Sequence, residues 1–409
     1  IGICVLMTQL LAGFAHAAST VYEGETDGGA LIKIEVPEAW NGGLVIYNHG
    51  FDLTAIEPSP PSLGPLASLQ LSQGYAVAAS SYRQNAWALY KTKNDLLNLV
   101  DAFKQEFAEP SEIYLHGFSL GGIVTAQGIE ANLGNVVGAY PACGAMAGSR
   151  SWDGAIDFRL VYDAICSDVP GAYIPGGGTG LPERFTESDF TEVDLALAAQ
   201  ACFGILAPPD FRTPGQTARL NQLLEVTQLP ENFVLTDLGF AVFGLSDLIY
   251  DKKKLNGKQG MGNIGVVYND PDINDTIERV ATHPGGKNRH TKNVTPSGKI
   301  RDVKIISTHT SGDGLVIVEQ QQPYRESVPA DNITVAVVSE SEETHCGFAE
   351  AELVAGWVSL TEWVASGNQP SVQDIQNTCL GIDGAFNNGP CRYDPDFEIQ
   401  SMDIRIPPR

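Results

Sequence analysis

Between residues 30 and 147, short β-rich runs alternate with helical patterns, and the alternation returns after residue 300. "ALIKIEV", "GLVIYN", "YAVAASSY", "EIYLH" and "NVVGAY" read as strands in the first block, and "VKIISTHT" and "ITVAVVS" in the second. The intervening "PLASLQLSQG", closed by Gly74, and residues 94–107 have helical spacing, the latter with Leu96, Val100, Phe103 and Phe107 on one stripe. A helix-like "VIVEQQQPYRESV" separates the last two strands, and a final amphipathic helix carries Leu353, Trp357, Leu360 and Val364. A strand that returns through a helix re-enters the sheet in the same direction. The pattern therefore predicts an α/β fold whose mostly parallel sheet is covered by helices on both faces.

Residues 148–293 break the alternation. Gly- and Pro-rich stretches ("IPGGGTGLPERF", "LAPPDFRTPG") flank helix-like "DLALAAQACFGIL" and "DLGFAVFGLSDLIY", which reads as a large helical cap or lid insertion. The aromatic stripe of "NFVLTDLGFAVFGLSDLIY" is expected to form cap core more than an acyl pocket. The expected organisation is a leader over 1–17, core over 18–147, cap over 148–293, core over 294–367 and a polar tail over 368–409. That tail would wrap the surface, stapled by a disulfide.

Charge and leader narrow the partners. Forty-nine acidic against 25 basic residues give a formal net charge of -24. Such a field repels nucleic acid and anionic lipid, so neither is an expected partner. "IGICVLMTQLLAGFAHAAS" resembles the apolar stretch of a secretory signal, truncated at its start and ending in the small-x-small Ala15-His16-Ala17. A polar, glycine-containing "STVYEGETDGG" follows, so export without stable membrane insertion is expected, to the medium or the periplasm. Of seven cysteines, Cys4 leaves with the leader, and an even set remains for disulfides. Cys379 with Cys391 is the most local pair, and the other pairings stay open. No CxxC or HExxH spacing calls for a metal. "DPDIND" begins like a calcium loop, but Asp275 stands where glycine is needed and Ala281 where glutamate is, so it reads as an acidic turn.

Chemistry concentrates at "EIYLHGFSLGGIVTAQG". Gly117-Phe118-Ser119-Leu120-Gly121 joins a strand to a helix, and a serine on so sharp a turn needs small residues two positions to either side. Serine is a weak nucleophile without an adjacent base, itself held by a carboxylate. His283 and His290 fall in the polar "THPGGKNRH" and are expected to be solvated, whereas His345 follows a strand in "ESEETHCGF". The C-terminal edge of a parallel sheet is where the base must sit. Asp313, in "ISTHTSGDGL", ends the preceding strand and is the expected acid. Asp302 lies at the wrong end of that strand, and Glu319 lies beyond it on the next helix. Backbone N–H groups of Leu120 and of Phe51, in "YNHGFD", are the expected oxyanion donors.

Taken together, "VPEAWNGGLVIYNHGF", "YLHGFSLGG", "HTSGDGLVIVEQQQPY" and "THCGFAEAE" resemble the secreted α/β-hydrolase superfamily in its esterase and lipase-like branch. The resemblance implies the α/β-hydrolase fold and acyl transfer through Ser119, His345 and Asp313, without a cofactor. The expected substrate is a carboxylic ester, small or polymeric. A peptidase or amidase using the same residues, and a non-catalytic hydrolase-like binding protein, are the alternatives.

Overall fold

The computed structural model describes residues 19–52, 59, 61–340, 342–386 and 389–409. The leader expected over 1–17 lies outside the described residues.

Eight strands form one sheet among the described residues: β1 (Ser19–Glu25), β2 (Leu31–Pro37), β3 (Gly43–Asn48), β4 (Ala76–Ser80), β5 (Glu112–Phe118), β6 (Val136–Ala142), β7 (Lys304–Thr310) and β8 (Ile333–Val338). Their order is β1-β2-β4-β3-β5-β6-β7-β8. From β4 to β8 every pairing is parallel, while β2 runs antiparallel to both β1 and β4. The expected fold class is therefore borne out, with one strand more than the sequence suggested. β1 escapes detection because it is an exposed edge strand. Backbone pairing to β2 holds it, and no buried face imposes an apolar alternation.

Both faces of the sheet are dry. Leu44 and Ile46 of β3 and Ile113 and Leu115 of β5 face one core cluster, packed with α2 (Thr92–Glu106) and α3 (Leu120–Glu130). Val45 and Tyr114, pointing the other way, pack with α1 (Ala67–Ser72) and with two later helices, Glu350–Ser366 and Val372–Phe386. Burial on both sides explains why these strands are apolar without interruption. The stretch between β6 and β7 carries α4 (Ser149–Cys166), α5 (Glu192–Phe203), α6 (Pro214–Thr227) and α7 (Val234–Gly239). A π-helical turn, Phe240–Gly244, links α7 to α8 (Leu245–Tyr250), and α9 (Pro271–Thr276) and α10 (Pro284–Val294) follow. Residues 231–250 are long and apolar enough to cross a membrane, but 67% of the apolar window is buried inside this fold.

Two expectations are corrected. His290 is not solvated: it lies on α10, 1% exposed, with Nδ1 2.9 Å from the Tyr90 hydroxyl. Burial pushes its pKa down to about 3. Pro284 at the first helical position made this stretch look like a loop. The tail, too, does more than wrap the surface. After α11 (Gln321–Ser327) and α12 (Glu350–Ser366), residues 372–386 form α13, which packs through Ile375 and Cys379 into the core. Val372, Ile375, Cys379 and Ile382 share one helical stripe that the surrounding polar residues disguise. Farther on, Met402 and Ile406 are buried with Ala147 and Ile317. The bridge Cys379–Cys391 forms as expected, and Cys143–Cys346 and Cys166–Cys202 accompany it.

On α12, Trp357, Leu360 and Trp363 are fully buried, while Leu353 and Val364 are only partly so. Glu352, one turn into that helix, is also completely buried. Its carboxylate accepts hydrogen bonds from the Ala349 and Arg392 backbone N–H groups (both 2.8 Å) and from Arg392 Nε and Nη2 (3.0 and 2.9 Å). Arg392 Nη2 also donates to the Gly347 carbonyl at 2.7 Å. The pair thus fastens the tail to the loop that carries residue 345. Removing one partner of a buried ion pair leaves the other unsatisfied, so Glu352→Ala is expected to destabilise the protein by about 3 kcal/mol. A lowered urea midpoint would register the loss.

Candidate active site

β5 delivers Phe118 to the sheet edge, and α3 starts at Leu120, leaving Ser119 alone to turn the chain. Its backbone stands at φ 57° and ψ −123°, a region that side-chain-bearing residues seldom occupy. The turn is held at both ends: Ser119 N–H donates to the Ala142 carbonyl (3.1 Å), and Gly122 N–H donates to the Ser119 carbonyl (2.9 Å). The two flanking glycines have a more specific reason than the sequence revealed. A Cβ on Gly121 would stand 2.0 Å from the Asn48 carbonyl oxygen, and one on Gly117 would stand 2.5 Å from the same oxygen. The end of β3 lies directly against the turn.

The structure brings the three expected side chains together. His345 Nε2 is 2.8 Å from Ser119 Oγ, and His345 Nδ1 is 2.7 Å from Asp313 Oδ2. A carboxylate can only accept, so the Nδ1 proton belongs to the bond with Asp313, and Nε2 is left to accept a hydrogen bond from the Ser119 hydroxyl. Asp313 is 2% exposed and takes a second hydrogen bond, from Val316 N–H to Oδ1 at 2.9 Å. Asp302 instead pairs with Lys304, and Glu319 faces Arg405 at 3.4 Å. Among the described residues neither makes a hydrogen bond or ion pair with His345.

His309 was overlooked in the sequence. It is fully buried, its Nε2 lies 3.7 Å from Asp313 Oδ2, and burial holds its pKa below the ordinary histidine range. The ring is oriented by its neighbours. Nε2–H donates to the Val316 carbonyl (2.6 Å), while Nδ1 accepts from Gln321 Nε2 (2.9 Å). Held by both ring nitrogens, His309 buttresses the loop that carries Asp313. Its place four residues before Asp313 was visible, but its burial was not.

The loop bearing His345 is tethered at several points. Thr344 Oγ1 donates to Glu340 (2.5 Å), Asn232 Nδ2 to the Glu343 carbonyl (2.8 Å), and Arg392 Nη2 to that of Gly347. Covalently, Cys346 is bonded to Cys143, the residue after β6. Both cysteines sit at positive φ, 44° and 59°.

Ser119 opens onto a cavity of about 220 Å³. Phe51 and Leu120, the expected oxyanion donors, both line it. The turn before Phe51 is fixed by Tyr82, whose hydroxyl donates to the His49 carbonyl at 3.2 Å and whose ring stacks on His49 at 4.2 Å. Burial, the largest influence, lowers the pKa of His49. Aromatic rings build part of the wall: Phe51 lies 4.4 Å from Trp87 and 4.9 Å from Phe240, and Trp87 lies 4.8 Å from Trp152. Trp87 Nε1 donates to the Gly244 carbonyl (2.8 Å), pinning the π-helical turn over the cavity. The stripe read as core is thus divided: Val234, Leu238 and Phe243 are core, whereas Phe240 lines the cavity. The tail also contributes Ile404, Arg405, Ile406 and Pro407 to the wall, a role no sequence signal announced.

The strand order, the strained serine turn and the loops that follow β7 and β8 give the chain an α/β-hydrolase fold. No family model and no curated protein matches the sequence. Solved structures similar to it include an esterase of Pyrococcus furiosus, at 12% identity over 87% of this chain and 92% of that one, with a TM-score of 0.40. The rice cell wall degrading esterase LipA of Xanthomonas oryzae matches at 12% identity over 88% and 92%, with a TM-score of 0.40. Candida antarctica lipase A in its closed state matches at 15% identity over 95% and 84%, with a TM-score of 0.42.

A histidine displaced by an ångström transfers protons poorly, and misplacement on that scale lowers rates by roughly 100-fold. Replacing Cys143 and Cys346 together by alanine is expected to reduce kcat by about 10- to 100-fold with a smaller change in KM. Steady-state kinetics on an activated ester reads this directly, and an unchanged kcat would assign the bridge to stability alone.

Proposed function

We propose that this protein is a serine hydrolase that cleaves carboxylic esters through an acyl-enzyme. The observation that carries the reading is the unbroken hydrogen-bond chain from Ser119 Oγ through His345 to Asp313. Each member answers a chemical need. Ser119 Oγ attacks the ester carbonyl as His345 Nε2 takes its proton. Asp313 keeps the imidazole in the required tautomer and stabilises its positive charge. The imidazolium then gives the proton to the departing alkoxide. A water, deprotonated by the same nitrogen, releases the acid and restores the serine.

The tetrahedral oxyanion needs donors fixed in advance, and loss of one such donor typically slows the reaction by roughly 100- to 1000-fold. The N–H groups of Leu120, at the start of α3, and of Phe51, after β3, are assigned that role. The segment over 148–293 would act as the cap, and its aromatic side chains favour the apolar part of an ester over a hydrated peptide. Three disulfides fit an exported protein, as does the leader-like start.

A fluorophosphonate probe is expected to label the wild-type protein covalently and to leave Ser119→Ala unlabelled. Ser119→Ala or His345→Ala is expected to lower kcat by about 10⁶-fold, and Asp313→Asn by about 10⁴-fold. Glu319→Gln should leave it within a few fold. Matched ester and anilide substrates test the bond cleaved: faster turnover of the anilides would reassign the protein as an amidase. A folded wild-type protein that the probe does not label would leave only a binding role.

A further inference from the structure

One carboxyl group of the cavity has neither a part in the mechanism nor a hydrogen-bond partner for its buried oxygen. Asp237, on α7, lines the same cavity as Ser119 and Leu120, and its Oδ2 is buried without any hydrogen-bond partner. A buried polar atom in that condition costs about 1–3 kcal/mol, and native structures rarely retain one without a use. On the same wall, Arg405 also lines the cavity and leaves its Nε buried and unpartnered. Its other nitrogens are engaged, Nη1 with Glu319 at 3.4 Å and Nη2 with the Gln228 carbonyl at 2.6 Å. Among the described residues Asp237 and Arg405 form no ion pair with each other, so neither satisfies the other. The rest of the wall is chiefly apolar, as with Leu229, Phe240 and Ile317. Two polar atoms without a protein partner in such a wall suit a polar atom of the ligand.

The surroundings select its chemistry. Charges of both signs bear on this part of the wall, from Arg405 and from Asp313, so a charged ligand group of either sign would gain one attraction and suffer one repulsion, whereas a neutral polar group avoids the repulsion. Burial and the charge of Asp313 both raise the Asp237 pKa well above the ordinary carboxyl range, with Arg405 opposing them. A hydroxyl both donates and accepts, and so bonds to Asp237 in either protonation state. An ether or carbonyl oxygen does so only when the acid holds its proton.

We propose that Asp237 is a specificity residue that recognises a hydroxyl group on the substrate, so that the preferred substrates are hydroxylated esters. This rests on the reading of the site as an esterase. It adds a polar subsite to a cavity that is otherwise suited to any apolar acyl or alkyl chain.

The test is a panel of 4-nitrophenyl alkanoates from butyrate to octanoate. Each is compared with counterparts carrying a hydroxyl, or its methyl ether, at successive carbons. For at least one position the hydroxylated ester is expected to exceed both the parent and the methyl ether in kcat/KM by roughly tenfold, the value of one satisfied hydrogen bond. In Asp237→Leu that ratio is expected to collapse to within twofold of one, and the ratio rather than the absolute rate is the readout. A structural role for Asp237 would slow all esters alike and leave the ratio standing, which would overturn the proposal. So would a wild-type ratio below threefold at every position. Calorimetric titration of Ser119→Ala with the same pairs separates binding from chemistry. If the wild-type protein hydrolyses none of the esters, the esterase reading fails. Tighter binding of a hydroxylated member would still support the subsite, and equal binding would sink it.

Discussion

Everything at the sheet edge depends on how closely the Asn48 carbonyl approaches the serine turn. With hypothetical Cβ atoms at 2.0 and 2.5 Å from that oxygen, positions 121 and 117 have no alternative to glycine. The same closeness puts the turn after β3, which bears Phe51, beside Ser119, so one steric condition sets both the serine and the backbone next to it. Asn48 is itself held by its Nδ2, which donates to Thr125 on α3 at 3.0 Å. A strained residue at φ 57° persists only where surrounding contacts over-determine it, and here two strands and a helix do so.

Around this fixed point the electrostatics are divided by burial. Asp313 is satisfied from two sides, by His345 and by the Val316 N–H. His309, close by, has its pKa held down by burial against the opposing pull of Asp313 and the Val316 carbonyl, and hydrogen bonds at both ring nitrogens fix its orientation. Asp237 has no such support. Asp237 in the cavity wall and Asp313, whose charge reaches it, are therefore carboxyl groups of contrasting status, the arrangement by which a site assigns different tasks to the same functional group.

Much of this was readable in the chain because it is local or directional. The glycine spacing about Ser119 follows from turn sterics. His345 and Asp313 could be chosen over the other candidates because strand direction tells which end of a parallel sheet a loop occupies. What stayed hidden depends on neighbours distant in sequence. β1 has no buried face to impose a pattern. His290 sits in a polar string and is dried only by Tyr90 and the elements packed around it. Residues 404–407 reach the cavity because Met402 and Ile406 find an apolar niche beside Ala147 and Ile317, a pairing no spacing rule encodes. The partner of Cys346 was equally out of reach, since pairing reflects proximity in the folded state.

That last bridge has a topological effect. Cys143 and Cys346 are 203 positions apart, and the whole run of helices between β6 and β7 lies inside the ring they close. A protease nicking any exposed loop of that run, for instance near the exposed Phe211, would cut the chain without dividing the molecule. The fragment bearing Ser119 and the fragment bearing His345 would remain one covalent body, joined beside the hydrogen bond between them.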